Sequence, residues 1–503
     1  MRHPIISRRI CAIHHGSHAR QIRSQSTISQ RLSIIASPNV TQGQVLAELK
    51  EHSLKVAEQG QNGVPPTDGV AVLASKDFTG WLEDQNFMSA FVATLLKPTS
   101  TIQTSRPSLH VLSGIIDGLS PHRLSSQPRS GFSVLRGPVD TILPRLWGEE
   151  RFSSTSQDNA ACVSFATNPL VGNTGALEVT LPLANTVFQN GRRATLYASR
   201  WDINSEGSMA LGTRSYKTTQ LITENGGSMN HTSSLVPLLP LTPPRRIVAG
   251  LGNIVRQVEL DGSPTPASKE LEAIIPKIFE ERAQREPSSP PRPIGVWCWV
   301  IPHHIGLEKF NSLTLFKAGS SQIEADIVRN SMGIFSELLS SGCRLHKILS
   351  GGGGWGLKQG LLSLDPETRF PLPGQDDDME MFIRSFQDRN SVEPTSGLAA
   401  PGSSLLFCIE PQTTGLEALS GQLLAPTKNL TFGVAPSEYT LGLSPHGDRV
   451  EIIDGHFGIS SAAGLFLQTS LGFAGTSNDK GIGGASQGSF STKVDVPGAY
   501  FCV

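Results

Sequence analysis

No Asp or Glu occurs before Glu48, although the same stretch carries Arg2, Arg8, Arg9, Arg20, Arg23 and Arg31. The absence of acid excludes an ordinary mixed-charge globular surface there and gives the composition of a transit peptide. Long apolar runs are also missing. His14-His15-Gly16-Ser17-His18 interrupts any secretory h-region of about 7–15 residues, and no window approaches the ~20 apolar residues that a membrane-spanning helix requires. Cysteine is sparse and scattered: Cys11, Cys162, Cys298, Cys343, Cys408 and Cys502 include no Cys-x-x-Cys pair. That spacing fits neither a zinc ribbon nor a disulfide framework, and leaves buried free thiols as the expectation.

What the N-terminus does contain is Ile5, Ile6, Ile10 and Ile13 at near-helical spacing, with the arginines on the other face. The expectation is a cationic amphipathic leader over residues 1–37, delivering a soluble protein to the mitochondrial matrix. The chain as a whole has 42 basic and 43 acidic residues; without the six leader arginines it has 36 against 43, a net −7. Such a balance argues against direct nucleic-acid binding and leaves a small-molecule ligand or a protein partner.

At 503 residues, two or three domains are expected. Gln44 to Glu58 reads as a helix, Asp68 to Ala74 as a buried strand, Asn86 to Leu96 as a helix and Leu109 to Ser113 as a second strand. This alternation predicts neighbouring parallel strands. Asn190-Gly191 between Ala176–Gln189 and Arg192–Trp201 predicts a hairpin, as does Asp454-Gly455 within Arg449–Ile459. Two β segments meet near Gly252-Asn253, and a helix follows from Ser268 to Arg282. The prolines of residues 283–294 mark a linker between a first domain, 38–282, and a second α+β domain, 295–503. The latter opens on the apolar strand Gly295–Pro302, followed by a helix near Ile323–Leu339 and a strand over Arg344–Ser350. The fold class expected is mixed α+β, with an α/β start and antiparallel hairpins.

The order of elements over 44–118, together with Gly252-Asn253-Ile254 and Glu259-Leu260-Asp261-Gly262-Ser263-Pro264, resembles the FIST (F-box and intracellular signal transduction) domain across roughly residues 40–282. The chain departs from that pattern by inserting Thr265-Pro266 before Ala267. The resemblance implies a sensory module for small, amino-acid-like ligands, with the turn at Ser113, Gly114, Asp117 and Gly118 as its candidate ligand-binding residues.

The second candidate is the loop Gly351, Gly352, Gly353, Gly354, Trp355 and Gly356, with Lys358 beyond it. Consecutive glycines let backbone N–H groups approach an anion, and the loop satisfies G-x-G-x-x-G. The phosphate-loop register G-x-x-x-x-G-K-[ST] fails at Lys358, and Asp376–Asp378 follow Pro371 and Pro373 rather than closing a second strand. An enzyme using a phosphorylated cofactor there is the alternative reading, and an accessory protein of a mitochondrial assembly is another. Gly484-Ala-Ser486-Gln-Gly488 mimics a nucleophile elbow, but the last histidine is His456, so the order Ser–Asp–His is impossible. His303-His304, and His446 and His456 beside Asp448 and Asp454, match no metal motif. No nucleophile is supplied with a base, no cofactor is identified, and binding is favoured over catalysis.

Overall fold

The computed structural model describes residues 29–58, 67–95, 108–120, 128–148, 160–167, 177–204, 208–224, 233–285, 293–319, 323–351, 360–371, 398–412, 430–436, 449–470 and 489–502. The chain opens with β1 (Gln30–Ala36), α1 (Gln42–Glu58), β2 (Gly69–Ser75), α2 (Thr79–Glu83), α3 (Gln85–Leu95), β3 (Ser108–Ile116), β4 (Gly131–Gly137) and α4 (Val139–Ile142). Every residue of β2, GVAVLAS, is buried, as a strand covered on both faces must be. It runs parallel to β3, from Gly69↔His110 to Ser75↔Ile116, as the alternation of elements predicts.

There follow β5 (Cys162–Thr167), β6 (Leu177–Pro182), α5 (Val187–Asn190), β7 (Leu196–Ile203), β8 (Met209–Tyr216), β9 (Thr219–Glu224), β10 (Ser233–Leu235), β11 (Leu239–Pro240), β12 (Arg245–Leu251), β13 (Ile254–Leu260), β14 (Ser263–Pro266) and α6 (Lys269–Arg285). The turn at Gly252-Asn253 joins β12 and β13 with Leu251 opposite Ile254, as expected. Asn190-Gly191 does not make a hairpin. Gly191, at φ 75°, ends α5 as its left-handed cap, and β6 and β7 enter different sheets. A helix C-cap and a type I′ turn ask for the same positive-φ residue, which is why the dipeptide misleads.

The last part holds β15 (Val296–Ile301), α7 (Glu324–Ser340), β16 (Arg344–Gly351), β17 (Leu362–Leu364), β18 (Ser404–Ile409), β19 (Leu430–Val434), β20 (Val450–Asp454), β21 (Phe457–Ser461), β22 (Leu465–Ser470), β23 (Ser489–Val494) and β24 (Tyr500–Cys502). The second expected hairpin is also absent: β20 pairs with β1 and β21 with β19, so Gly455, at φ 73°, turns the chain from one sheet into another.

Four sheets result. A seven-stranded sheet has the order β20-β1-β4-β2-β3-β7-β8; a five-stranded one runs β23-β22-β6-β5-β9; a four-stranded one runs β10-β24-β19-β21. In the fourth, β18, β12, β13, β17, β16 and β15 pair antiparallel around a closed ring, with β11 and β14 attached. Each sheet takes strands from both sides of the proline-rich linker. The separate units expected at 38–282 and 295–503 are therefore woven together by hydrogen bonding, and residues 286–292 lie outside the described residues. The leader range needs a similar correction. Residues 1–28 lie outside the described residues, but 30–36 form β1, held between β20 and β4, and Arg31 pairs with Glu224.

Three apolar clusters fill the spaces between layers. One lies between the seven-stranded sheet and α1 and α3, around Phe78, Phe87, Phe91 and Phe132. The largest joins the other face of that sheet to the four- and five-stranded sheets and to Trp297 and Trp299. The third packs Cys298, Phe407, Leu405 and Leu364 with residues of α6 and α7. Each large side chain so buried contributes about 1.5–3 kcal/mol relative to exposure. Among the described residues no helix is long and apolar enough to cross a membrane.

Candidate functional site

At the carboxyl end of β3, where open α/β sheets place their ligands, the chain leaves Ile116 for Asp117 and Gly118. Neither residue is presented in an open turn. The Asp117 carboxylate meets Lys76 Nζ at 2.5 Å and accepts the Ala462 N–H at 2.8 Å. The Gly118 carbonyl accepts both the N–H and the hydroxyl of Ser460, at 2.8 and 2.9 Å. A Cβ on Gly118 would stand 2.6 Å from Pro128 Cβ, so the position is closed to larger residues. Ser113 and Gly114 lie inside β3 and are fully interior, with Gly114 between Leu73 and Leu196. Asp117 and Gly118 thus form a seam between the end of β3 and β21, whereas Ser113 and Gly114 lie within the sheet between β2 and β7. Of the glycine loop, Gly351 is the last residue of β16, opposite Leu362; Gly352, Gly353, Gly354, Trp355, Gly356 and Lys358 lie outside the described residues.

Beyond the seam opens a cleft of about 370 Å³, and Ala462 and Ala463, the turn that Asp117 holds, form part of its wall. Lys347, Lys493, Asp495, Glu367 and Arg193 line it together with Phe370 and Phe466. Lys347 and Trp297 are cross-strand partners on β16 and β15, and the ammonium sits 5.3 Å from the indole centroid. The buried Trp297 also donates its indole N–H to Asp495 Oδ1 at 2.7 Å. Lys493, opposite Phe466 in the β22–β23 pair, reaches Asp365 Oδ2 at 3.0 Å and Glu367 Oε2 at 2.6 Å. Phe370 meets Phe466 edge to face at 5.9 Å.

Burial pushes the Asp495 carboxyl above its ordinary range, against the lowering effects of the Trp297 N–H, Lys493 and Lys347. For Lys493 burial works downward, but the carboxylates of Glu367 and Asp365 outweigh it and the ammonium is held more tightly than usual. Lys493 is therefore committed to its carboxylates. Among the described residues Lys347 forms no ion pair, and its charge and that of Asp495 face an aromatic, half-enclosed space. An arrangement of this kind can grip a small molecule bearing both an anionic and a cationic group.

None of these cleft residues is legible as a motif, since they come from segments spread between 160 and 497. The available signal was a single charge inside an otherwise uncharged strand, as at Lys493 in SFSTKV. The histidines behave differently from a metal reading. His456 is buried with Nδ1 2.9 Å from Ser33 Oγ, and His303 and His304 are exposed at the end of β15. Among the described residues no group of three His, Cys, Asp or Glu is placed to hold a metal ion; His446 and Asp448 lie outside them. The five described cysteines are buried and form no disulfide among the described residues.

Comparison with known proteins gives no match: no family model, no curated protein and no solved structure aligns with the chain.

Proposed function

We propose that this chain is a ligand-binding protein of FIST type that takes a small zwitterionic, amino-acid-like molecule in the cleft between Lys347 and Asp495. The observation that carries the reading is the opposed pair of charges beside the Trp297 indole, off the carboxyl end of a parallel strand. Lys347 meets the ligand carboxylate, Asp495 its ammonium, and Phe370 and Phe466 its side chain. Asp117 positions the Ala462–Ala463 wall rather than touching the ligand. The resemblance of 44–118 and 247–277 to FIST domains supports the same ligand class, and the arginine-rich, acid-free N-terminus supports a mitochondrial address.

The test is thermal melting of the full chain with L-amino acids, monocarboxylates, monoamines and nucleotides. A ligand at one hundred times its Kd stabilises the folded state by about 2.7 kcal/mol. Stabilisation by an amino acid, and its loss in Lys347→Met and in Asp495→Asn, is the expected result. Stabilisation by nucleotides alone, unaffected by those substitutions, overturns it in favour of the glycine loop. The address is tested separately: Arg8, Arg9, Arg20 and Arg23 replaced together by Glu leave a tagged chain in the cytosol, whereas unchanged fractionation with mitochondria refutes it.

A further inference from the structure

Lys347 and Asp495 stand beside Trp297, but most of the cleft wall is of another kind. Among the described residues that line it, every one without a charge is alanine, proline or phenylalanine, and no hydroxyl, amide or imidazole side chain reaches it. The backbone adds few free donors. Pro182, Pro371 and Pro497 have no N–H, and those of Ala435, Ala462 and Ala463 are already given to the Ser461 carbonyl, the Asp117 carboxylate and the Ser461 hydroxyl, at 3.0, 2.8 and 3.3 Å. Of the other charges, Lys493 and Glu367 meet at 2.6 Å, and Arg193 is engaged as well. A polar ligand side chain placed here gives up water for a wall whose donors are mostly used, and the loss is not recovered.

The same wall leaves room for bulk. Ala160, Ala435, Ala462 and Ala463 stop at Cβ, and the space of about 370 Å³ lies within the range of small-molecule sites. The rings of Phe370 and Phe466, at 76° to each other, supply the broadest apolar surface in it. Edge-to-face pairs of this kind accept a further ring or aliphatic chain against them.

On the reading of this cleft as an amino-acid site, we infer that its ligand is an α-amino acid with a large apolar side chain, and that Phe370 helps to set that preference. Lys347 and Asp495 recognise the carboxylate and ammonium common to all amino acids. The alanine and phenylalanine wall chooses among them. A polar amino acid of the same shape is disfavoured because its oxygen arrives where no donor waits, which in apolar sites amounts to roughly a tenfold to hundredfold difference in affinity.

The test is isothermal titration calorimetry of the full chain with L-phenylalanine, L-leucine and L-methionine, against their near-isosteric polar counterparts L-asparagine and L-glutamine and the charged L-glutamate and L-lysine. The expected Kd values of the polar and charged amino acids exceed those of leucine and methionine by about tenfold or more. Phe370→Ser, at a half-buried position, weakens phenylalanine by about tenfold. Asparagine, glutamine, glutamate or lysine binding as tightly as the apolar amino acids overturns this inference and leaves the amino-acid reading of the cleft standing. No binding by any member of the series overturns both. An unaltered phenylalanine Kd in Phe370→Ser removes Phe370 from the site; if that variant does not fold, the series measured on the wild type decides alone.

Discussion

The carboxylate of Asp117 accepts the backbone N–H of Ala462 at 2.8 Å, across 345 residues of sequence. Its other oxygen meets Lys76, so one side chain ties the end of β3 to the wall of the cleft. Asp117→Ala removes a largely buried, charge-assisted bond and leaves the Ala462 N–H unmatched, at a cost of about 1–3 kcal/mol. The expected outcome in chemical denaturation is a lower midpoint with an unchanged m-value, together with weaker binding in the cleft. An unaltered midpoint would show that the seam does not hold the wall.

A second prediction concerns Asp495, whose carboxyl is raised by burial. Its folded pKa lies above the unfolded value near 3.8, so the folded state binds the proton more tightly and stability falls as pH rises between the two. At neutral pH the ionised carboxylate is a net cost to folding. Asp495→Asn keeps an acceptor for the Trp297 N–H and removes the titration. The variant is expected to melt at a higher temperature than the wild type at pH 7 while losing its amino-acid response. A structural ion pair gives the opposite result, a lower melting temperature.

Much of the local structure was legible because its cause is local. The spacing of Val45 and Leu49 marks α1, the run DGVAVLA marks β2, and Gly252-Asn253 marks the turn between β12 and β13. What could not be read is set by distant partners. Asn190-Gly191 and Asp454-Gly455 announce positive φ, but only the surrounding sheets decide whether the chain returns antiparallel or leaves for another layer. Gln30–Ala36 carries Arg31 and no acid, like the leader, and its place as an inner strand depends on β20, more than four hundred residues later. The cleft is illegible for the same reason. Lys347 acquires its meaning from Trp297 across one strand pair, and Asp495 from the same indole by a different route. Asp117, expected in a ligand-binding turn, is instead bonded to the Ala462 N–H and to Lys76, and a backbone partner of that kind leaves no trace in side-chain patterns.

A third prediction follows from the interleaving of the sheets. A protease cutting between Arg285 and Gly295 separates the covalent chain into two pieces, yet β1 still pairs with β20, β6 with β22 and β12 with β18. The nicked protein is expected to elute as one species under native conditions and to separate only in denaturant. Two fragments that part in native buffer would restore the two independent units that the prolines suggested.

The last prediction is a pH dependence carried by His346. It is buried inside the ring of β strands opposite Cys298, with Nδ1 2.8 Å from the Asp365 carbonyl, to which the neutral ring donates. Nε2 has no partner among the described residues. Burial lowers the pKa from 6.5 to about 4, outweighing the pull of the Asp365 carbonyl, and the Arg344 charge adds to the lowering. Above pH 6.5 the ring is neutral in both folded and unfolded chains and makes no difference to stability. As pH falls below 6.5 the unfolded chain takes up a proton that the folded one refuses, so stability is lost down to about pH 4. At 1.36 kcal/mol per unit the loss amounts to roughly 3 kcal/mol. His346→Gln keeps a donor for the Asp365 carbonyl and cannot titrate. Its unfolding free energy should therefore start lower at pH 7 but decline less steeply between pH 6.5 and 4.5. Parallel curves for the two proteins across that range would mean that the protonated ring finds a partner inside the fold.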